Sequence, residues 1–139
     1  MIVLDTNVVS ELLRRSPAPV VLSCLRGQRT GALFTSAITV AEVTYGIARL
    51  PTGRRRSDLD AAAQDVFGAF PAQVLPFDAA AAGRYTGVVA DLERNGNPIV
   101  GFDAQIAAIC LVHSARLATR NVKDFLATGV ELIDPWRQS

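Results

Sequence analysis

Polar and apolar positions divide this chain into short blocks with two periods. Met1 to Leu4 is an unbroken apolar run closed by Asp5, the pattern of a strand buried on both faces that feeds a helix. Val8, Val9, Leu12 and Leu13 then recur at helical spacing, and Arg14-Arg15 suits the negative end of that helix. Pro17 or Pro19 opens a second helix through Val20, Val21, Cys24 and Leu25, which Gly27 closes. Ala32 to Thr35 reads as a second strand. Thr39, Ala41, Glu42, Val43, Gly46 and Ile47 place a third helix that ends near Leu50, ahead of Pro51 and Gly53. An alanine-rich helix from about Arg56 to Phe70 is stopped by Pro71, and Val74-Leu75 forms a third strand. Asp78 caps a long helix to about Asn95, where Gly96-Asn97-Pro98 breaks it. Asp103 to His113 is an apolar helix, Arg116 to Ala118 a strand, and Asp124 to Ala127 a helical turn. Glu131 to Ile133 makes the last strand before Pro135-Trp136.

Short apolar strands alternating with helices predict right-handed crossovers and a parallel sheet covered on both faces. The expected class is therefore α/β in three layers, α/β/α around a central parallel sheet. No repeat, low-complexity tract or linker interrupts it, so a single domain over residues 1–139 is expected. In such sheets ligands sit outside the carboxyl ends of the strands. Acids that follow strands are accordingly the first candidates for chemistry.

Composition narrows the picture only a little. Half of the chain is hydrophobic and 19% is charged, a globular balance. Lys and Arg total 14 against 13 for Asp and Glu, so any nucleic-acid contact has to come from local placement of arginines. Arg54, Arg55 and Arg56 form one run, which reads as a solvated loop or helix end. Cys24 and Cys110 lie far apart in apolar stretches without metal-ligand spacing, and this suits free thiols in a reducing cytoplasm. The opening carries no signal-peptide pattern, and no apolar run approaches the roughly 20 residues of a membrane span. A cytoplasmic protein without membrane contact is expected.

Four acids, Asp5, Glu42, Asp103 and Asp124, each have an ordinary structural reading. Asp5 suits a helix N-cap, Glu42 stands three residues after Thr39 as in a capping box, and Asp103 opens an apolar helix. Asp124 precedes Phe125-Leu126 after a strand. As a set they gain weight, because the alternation of elements brings all four to one edge of the sheet. Crowded carboxylates repel, and without a cation at least one holds its proton. Magnesium, a hard cation that takes oxygen ligands and keeps several waters, relieves that repulsion; manganese accepts the same donors. Such an ion acidifies water and stabilises charge on a scissile phosphate, the chemistry of phosphodiester hydrolysis.

Other chemistries are poorly supplied. His113 is the single histidine and lies in an apolar helix, and no G-x-S-x-G motif accompanies it. Zinc lacks ligands at workable spacing. Neither a G-x-x-x-x-G-K-[ST] loop nor a strand-linked G-x-G-x-x-G is present. Asp5-Thr6-Asn7 lacks the second acid of a D-x-D phosphatase, and the adjacent acid pair of a receiver domain is missing as well.

The motifs resemble those of the VapC-type toxins of bacterial toxin–antitoxin pairs, within the PIN-domain nucleases. Met1-Ile2-Val3-Leu4-Asp5-Thr6-Asn7-Val8-Val9 is similar to the family's opening. Ser36-Ala37-Ile38-Thr39-Val40-Ala41-Glu42-Val43 with Gly46 is similar to its second motif. Pro98-Ile99 with Asp103 and Ile106-Ala107-Ala108 resembles the third. Ala118-Thr119-Arg120-Asn121 through Asp124-Phe125, with Gly129 and Pro135-Trp136, resembles the fourth. The likeness runs over essentially the whole chain, and its Ile-Thr-Val-Ala-Glu wording is similar to the FitB-like subgroup. In some members of that subgroup the fourth acid stands where this chain has Asn121.

This resemblance implies a PIN-like fold and a magnesium-dependent endoribonuclease. Asp5 and Asp103 would be metal ligands, Glu42 would orient or deprotonate the attacking water, and Asp124 would complete the pocket. Thr6, Asn7 and Asn121 would hold the carboxylates by hydrogen bonds. A cognate VapB-type antitoxin is implied, threading a segment across the toxin's groove with an arginine in the acidic pocket. A homodimer is implied too. Arg49, two turns beyond Glu42, is either an RNA phosphate contact or a solvated helix-end residue. Two rival expectations are a non-catalytic interaction module with the same fold and a structure-specific DNA nuclease.

Overall fold

The computed structural model describes residues 1–29, 31–70 and 73–137. Among them, strands β1 (Ile2–Leu4), β2 (Leu33–Ser36), β3 (Val74–Leu75), β4 (Arg116–Ala118) and β5 (Leu132–Ile133) lie parallel in the order β3-β2-β1-β4-β5. The helices are α1 (Thr6–Leu12), α2 (Pro19–Arg26), α3 (Ala37–Ala48), α4 (Arg54–Gly68), α5 (Ala79–Arg94), α6 (Gly101–Val112) and α7 (Val122–Phe125). The chain moves outward from β1 to β3, then returns past β1 to place β4 on its other side. Right-handed crossovers require such a reversal to change faces of the sheet.

The two cores follow from that requirement. Ile2 and Leu4 pack with Val8, Val9, Val21, Leu25, Val43 and Ile47, a layer drawn from α1, α2 and α3. Val3, pointing the opposite way, packs with Ala81, Ile106, Ala107, Ile109 and Cys110 from α5 and α6. All three β1 side chains are buried, as a strand covered on both faces must be. This is the three-layer arrangement expected from the sequence. None of the described helices is long and apolar enough to cross a membrane.

Several boundaries differ from the sequence reading, each for a local reason. The second strand runs one residue later than expected and ends at Ser36. That serine caps α3, accepting the Thr39 backbone N–H at 3.1 Å. Glu42 therefore lies in the second helical turn and forms no capping box with Thr39, which its side chain is then free to leave. The helix holding Asp103 starts at Gly101, behind an extended Val100, so Asp103 is its third residue and not its cap. The segment before α6 comes from α5, not from a strand. Helix α1 ends at Leu12, leaving Arg14 and Arg15 beyond it, where Arg14 pairs with Glu11 at 3.2 Å. The α4 helix begins at Arg54 and gives way to the cap residue Ala69; the expected stop at Pro71 falls outside the described residues. The last helical turn spans Val122–Phe125, two residues early, because Asn121 takes the cap position.

The serine cap can be tested alone. Ser36→Ala removes the acceptor for the Thr39 N–H and should lower stability by about 1 kcal/mol. Urea unfolding would show it as a lower midpoint with an unchanged slope.

Candidate metal-binding and nuclease site

Strand β1 is the point where the order of the sheet reverses, flanked by β2 and β4. Open α/β sheets bind ligands at this crevice, beyond the strands' carboxyl ends. Asp5, the first residue past β1, occupies it. Its carboxylate accepts the Thr6 backbone N–H at 2.8 Å as the cap of α1, the Thr119 hydroxyl at 2.7 Å and the Asn7 amide at 3.4 Å. Thr119 arrives there by register: Leu4 pairs with Ala118, so the residues that follow them meet. Its hydroxyl also accepts the Asn121 backbone N–H at 3.0 Å.

Glu42 enters from α3. The Thr6 hydroxyl donates to its Oε1 at 2.8 Å and lies 3.2 Å from the Thr39 hydroxyl. Thr6 thus joins two acids, binding Asp5 through its backbone and Glu42 through its side chain. Asn7 joins two segments, since its amide reaches Asp5 while its Oδ1 accepts the Arg120 backbone N–H at 3.1 Å. Asp5, Glu42 and Asp103 line one pocket of about 570 Å³ with Thr6, Asn7 and Asn121. Asp124 does not line it and is exposed on α7, though its charge still acts on Asp5 and Asp103. The Asn121 side chain makes no hydrogen bond to the four acids among the described residues.

The electrostatics record this crowding. Burial pushes the Asp5 carboxyl up from the ordinary 3.8; hydrogen bonds from Thr119 and the Thr6 backbone oppose the rise, and Glu42 and Asp124 add to it. Asp103 is pushed up to about 6, first by burial and then by Asp5, Asp124 and Glu42. Four acids that share one field are short of positive charge. All their donor atoms are oxygens, which fits a hard divalent cation. No three His, Cys, Asp or Glu side chains among the described residues close into a ready-made cage. Magnesium commonly binds through one or two carboxylates and retained waters, so an open carboxylate set suits it. Cys110, under the site, has its thiol pushed up to about 12 by burial and by Asp5, and behaves as core.

The sequence reading gave no role to Thr119, Glu11, Arg120 or Trp136, and it gave Thr39 only a capping role. Glu11 is buried at the pocket wall, where it accepts the Ala18 backbone N–H at 2.9 Å and so ties α1 to the start of α2. Arg120 and Trp136 also line the pocket. Thr119, Arg120 and Trp136 all stand in the fourth motif, and Thr119 is also a polar residue directly after a strand.

The raised pKa of Asp103 has a measurable consequence. The folded chain holds this proton more tightly than the unfolded chain does, so stability should fall as pH rises from 3.8 through about 6 in metal-free protein. Asp103→Asn removes the penalty. At pH 7 with EDTA it should raise stability by about 1 kcal/mol, allowing for solvent screening of this half-exposed group. The gain should vanish near pH 4, as thermal melts at both pH values would show.

Comparison with known proteins gives this arrangement its context. The PIN domain family model matches residues 2–130. The VapC ribonuclease Y4jK of Sinorhizobium fredii is 40% identical over 98% of this chain and 98% of its own. Toxin FitB of Neisseria gonorrhoeae is 36% identical, covering 98% of this chain and 99% of its own. The structure of FitAB bound to the IR36 DNA fragment superposes with a TM-score of 0.92 at 36% identity, over 100% of this chain and 98% of the other. With a parallel sheet in this order and these full-length relatives, the chain belongs to the PIN-domain family and, within it, to the VapC and FitB group of toxin ribonucleases.

Proposed function

We propose that this protein is the toxin of a type II toxin–antitoxin pair and hydrolyses RNA phosphodiester bonds with a bound magnesium ion. The observation that carries the reading is the shared field of Asp5, Glu42, Asp103 and Asp124 at the end of β1. Asp5 and Asp103 would hold the ion, with Asp124 completing the acidic set from α7. Once bound, the ion would neutralise these carboxylates, acidify water and stabilise charge on the scissile phosphate. Glu42, which accepts the Thr6 hydroxyl, would orient the attacking water and take its proton. Thr119 and Asn7 hold Asp5 so that its oxygens keep one direction.

A second pocket supports the antitoxin part of the reading. A groove of about 1170 Å³ runs along α1, α3 and α4, with an apolar floor that includes Leu13, Val43, Ile47 and Leu59. Arg14, Arg15, Arg54 and Arg55 stand at its sides, and it reaches Thr6 and Glu42. Arg54, Arg55 and Arg56 occupy the first turn of α4, where the helix dipole opposes positive charge. Helix stability therefore does not account for them. An antitoxin segment with apolar anchors and acidic flanks fits this groove, and an arginine at its end would meet the acids. Arg49, by contrast, lies 5.6 Å over the ring of Tyr45, the packing of a helix-end residue. A homodimer belongs to the same proposal, since pairing would take some of the exposed Tyr45, Val100, Phe102 and Leu126 surface from water.

Cleavage of total RNA in magnesium, with EDTA as control, tests the activity. Asp5→Asn and Asp103→Asn should each cut the rate by about a thousandfold or more while circular dichroism stays native. Wild-type activity in either variant would sink the mechanism, and preferential cleavage of DNA oligonucleotides would favour a DNA nuclease. The groove has its own test. A Cβ at Gly46 meets nothing within 4 Å, so Gly46→Gln should fold, with helix stability equal or slightly raised. Its side chain enters the groove, and antitoxin affinity measured by calorimetry should drop about tenfold or more. Sedimentation velocity reads the dimer directly.

A further inference from the structure

We propose that Arg120 and Trp136 form a stacking shelf for one base of the RNA, beside the scissile phosphate. The inference rests on the ribonuclease reading above and adds a substrate-positioning element to it. Both residues line the pocket that holds Asp5, Glu42 and Asp103. The Arg120 guanidinium lies over the indole of Trp136, 4.8 Å from its centroid. Trp136 packs against the core cluster that includes Leu4 and Val8, so its ring is backed by the core. The guanidinium thus rests on a supported ring, with Arg120 itself exposed.

Two further features separate this from simple packing. Within a pocket full of carboxylates, Arg120 makes no ion pair among the described residues, whereas Arg14 in the same pocket pairs with Glu11. It lies over the indole face instead. The backbone is anchored at both members: the Arg120 N–H donates to Asn7 Oδ1 at 3.1 Å, and the Trp136 N–H donates to Asp134 Oδ1 at 3.0 Å. Unpaired RNA bases stack readily on guanidinium planes and aromatic rings, and every base has a face to offer. A cation at this place also offsets the repulsion between incoming phosphates and the acids. The shelf would hold the strand in register for hydrolysis without touching the reacting atoms.

Steady-state cleavage of short single-stranded RNA tests this with Arg120→Ala, Arg120→Lys and Trp136→Phe. Arg120→Ala should raise KM about tenfold and leave kcat within about twofold. Arg120→Lys keeps the charge but not the plane, so its KM should rise nearly as far; it also carries the test if the alanine variant misfolds. Oligonucleotides abasic at successive positions around the cut should include one on which wild type and Arg120→Lys perform alike. Trp136 is the single tryptophan, and its emission should change as RNA binds. An Arg120→Lys variant matching wild type, or a penalty equal at every abasic position, would overturn the shelf and leave the nuclease standing. Failure of the wild type to cleave RNA in magnesium would overturn both.

Discussion

The hydrogen bond from the Thr119 hydroxyl to Asp5, 2.7 Å long and closed off from water, ties the end of β4 to the end of β1. Without such donors a carboxylate at a buried strand end would keep its proton. Three donors on Asp5 and one on Glu42 resist that outcome but do not abolish it, since Asp5 and Asp103 remain pushed upward. The site is built as an unfinished electrostatic arrangement. Asp5 and Glu42 are held in direction by hydroxyls, an amide and a backbone N–H, and the repulsion that remains among the acids would be relieved by a cation.

Such an arrangement needs a stiff platform, which the sheet provides. Strand β1 is paired on both edges and covered on both faces, so Asp5 extends from a strand supported on every side. Glu42 is carried on a helix whose start is pinned by Ser36, and Thr6 couples it back to β1. Asp124, on a four-residue helix and exposed, is the most loosely held of the acids. Hydrogen-bonded support therefore decreases from Asp5 through Glu42 to the exposed Asp124.

Much of this was legible in the sequence. The apolar run at the start gives β1 to within one residue, β4 falls where the sequence places it, and the caps Asp78 and Gly27 fix one end each of α5 and α2. Thr39 with Glu42 mimics a capping box that Ser36 pre-empts, because serine at the strand end offers a closer acceptor. Asp103 looks like a helix start, yet Gly101 and Phe102 already belong to the helix. Thr119 depends on the pairing of strands more than a hundred residues apart, information that local periodicity does not contain. The contact of Arg120 with Trp136 spans the nearby pair β4 and β5, and local periodicity does not reveal that pairing either.

The central position of β1 bears on how the protein is made. Its first neighbour, β2, is synthesised soon after it, but β4 follows only after helices α3 to α6 have been made. Until then the growing polypeptide lacks Thr119, Arg120 and Asp124, and the gap beside β1 stays open. Domains assemble as units, and contacts between distant segments form late. A nascent copy without β4 thus lacks the hydroxyl that holds Asp5, and the acidic pocket takes its folded form only when that strand docks beside β1.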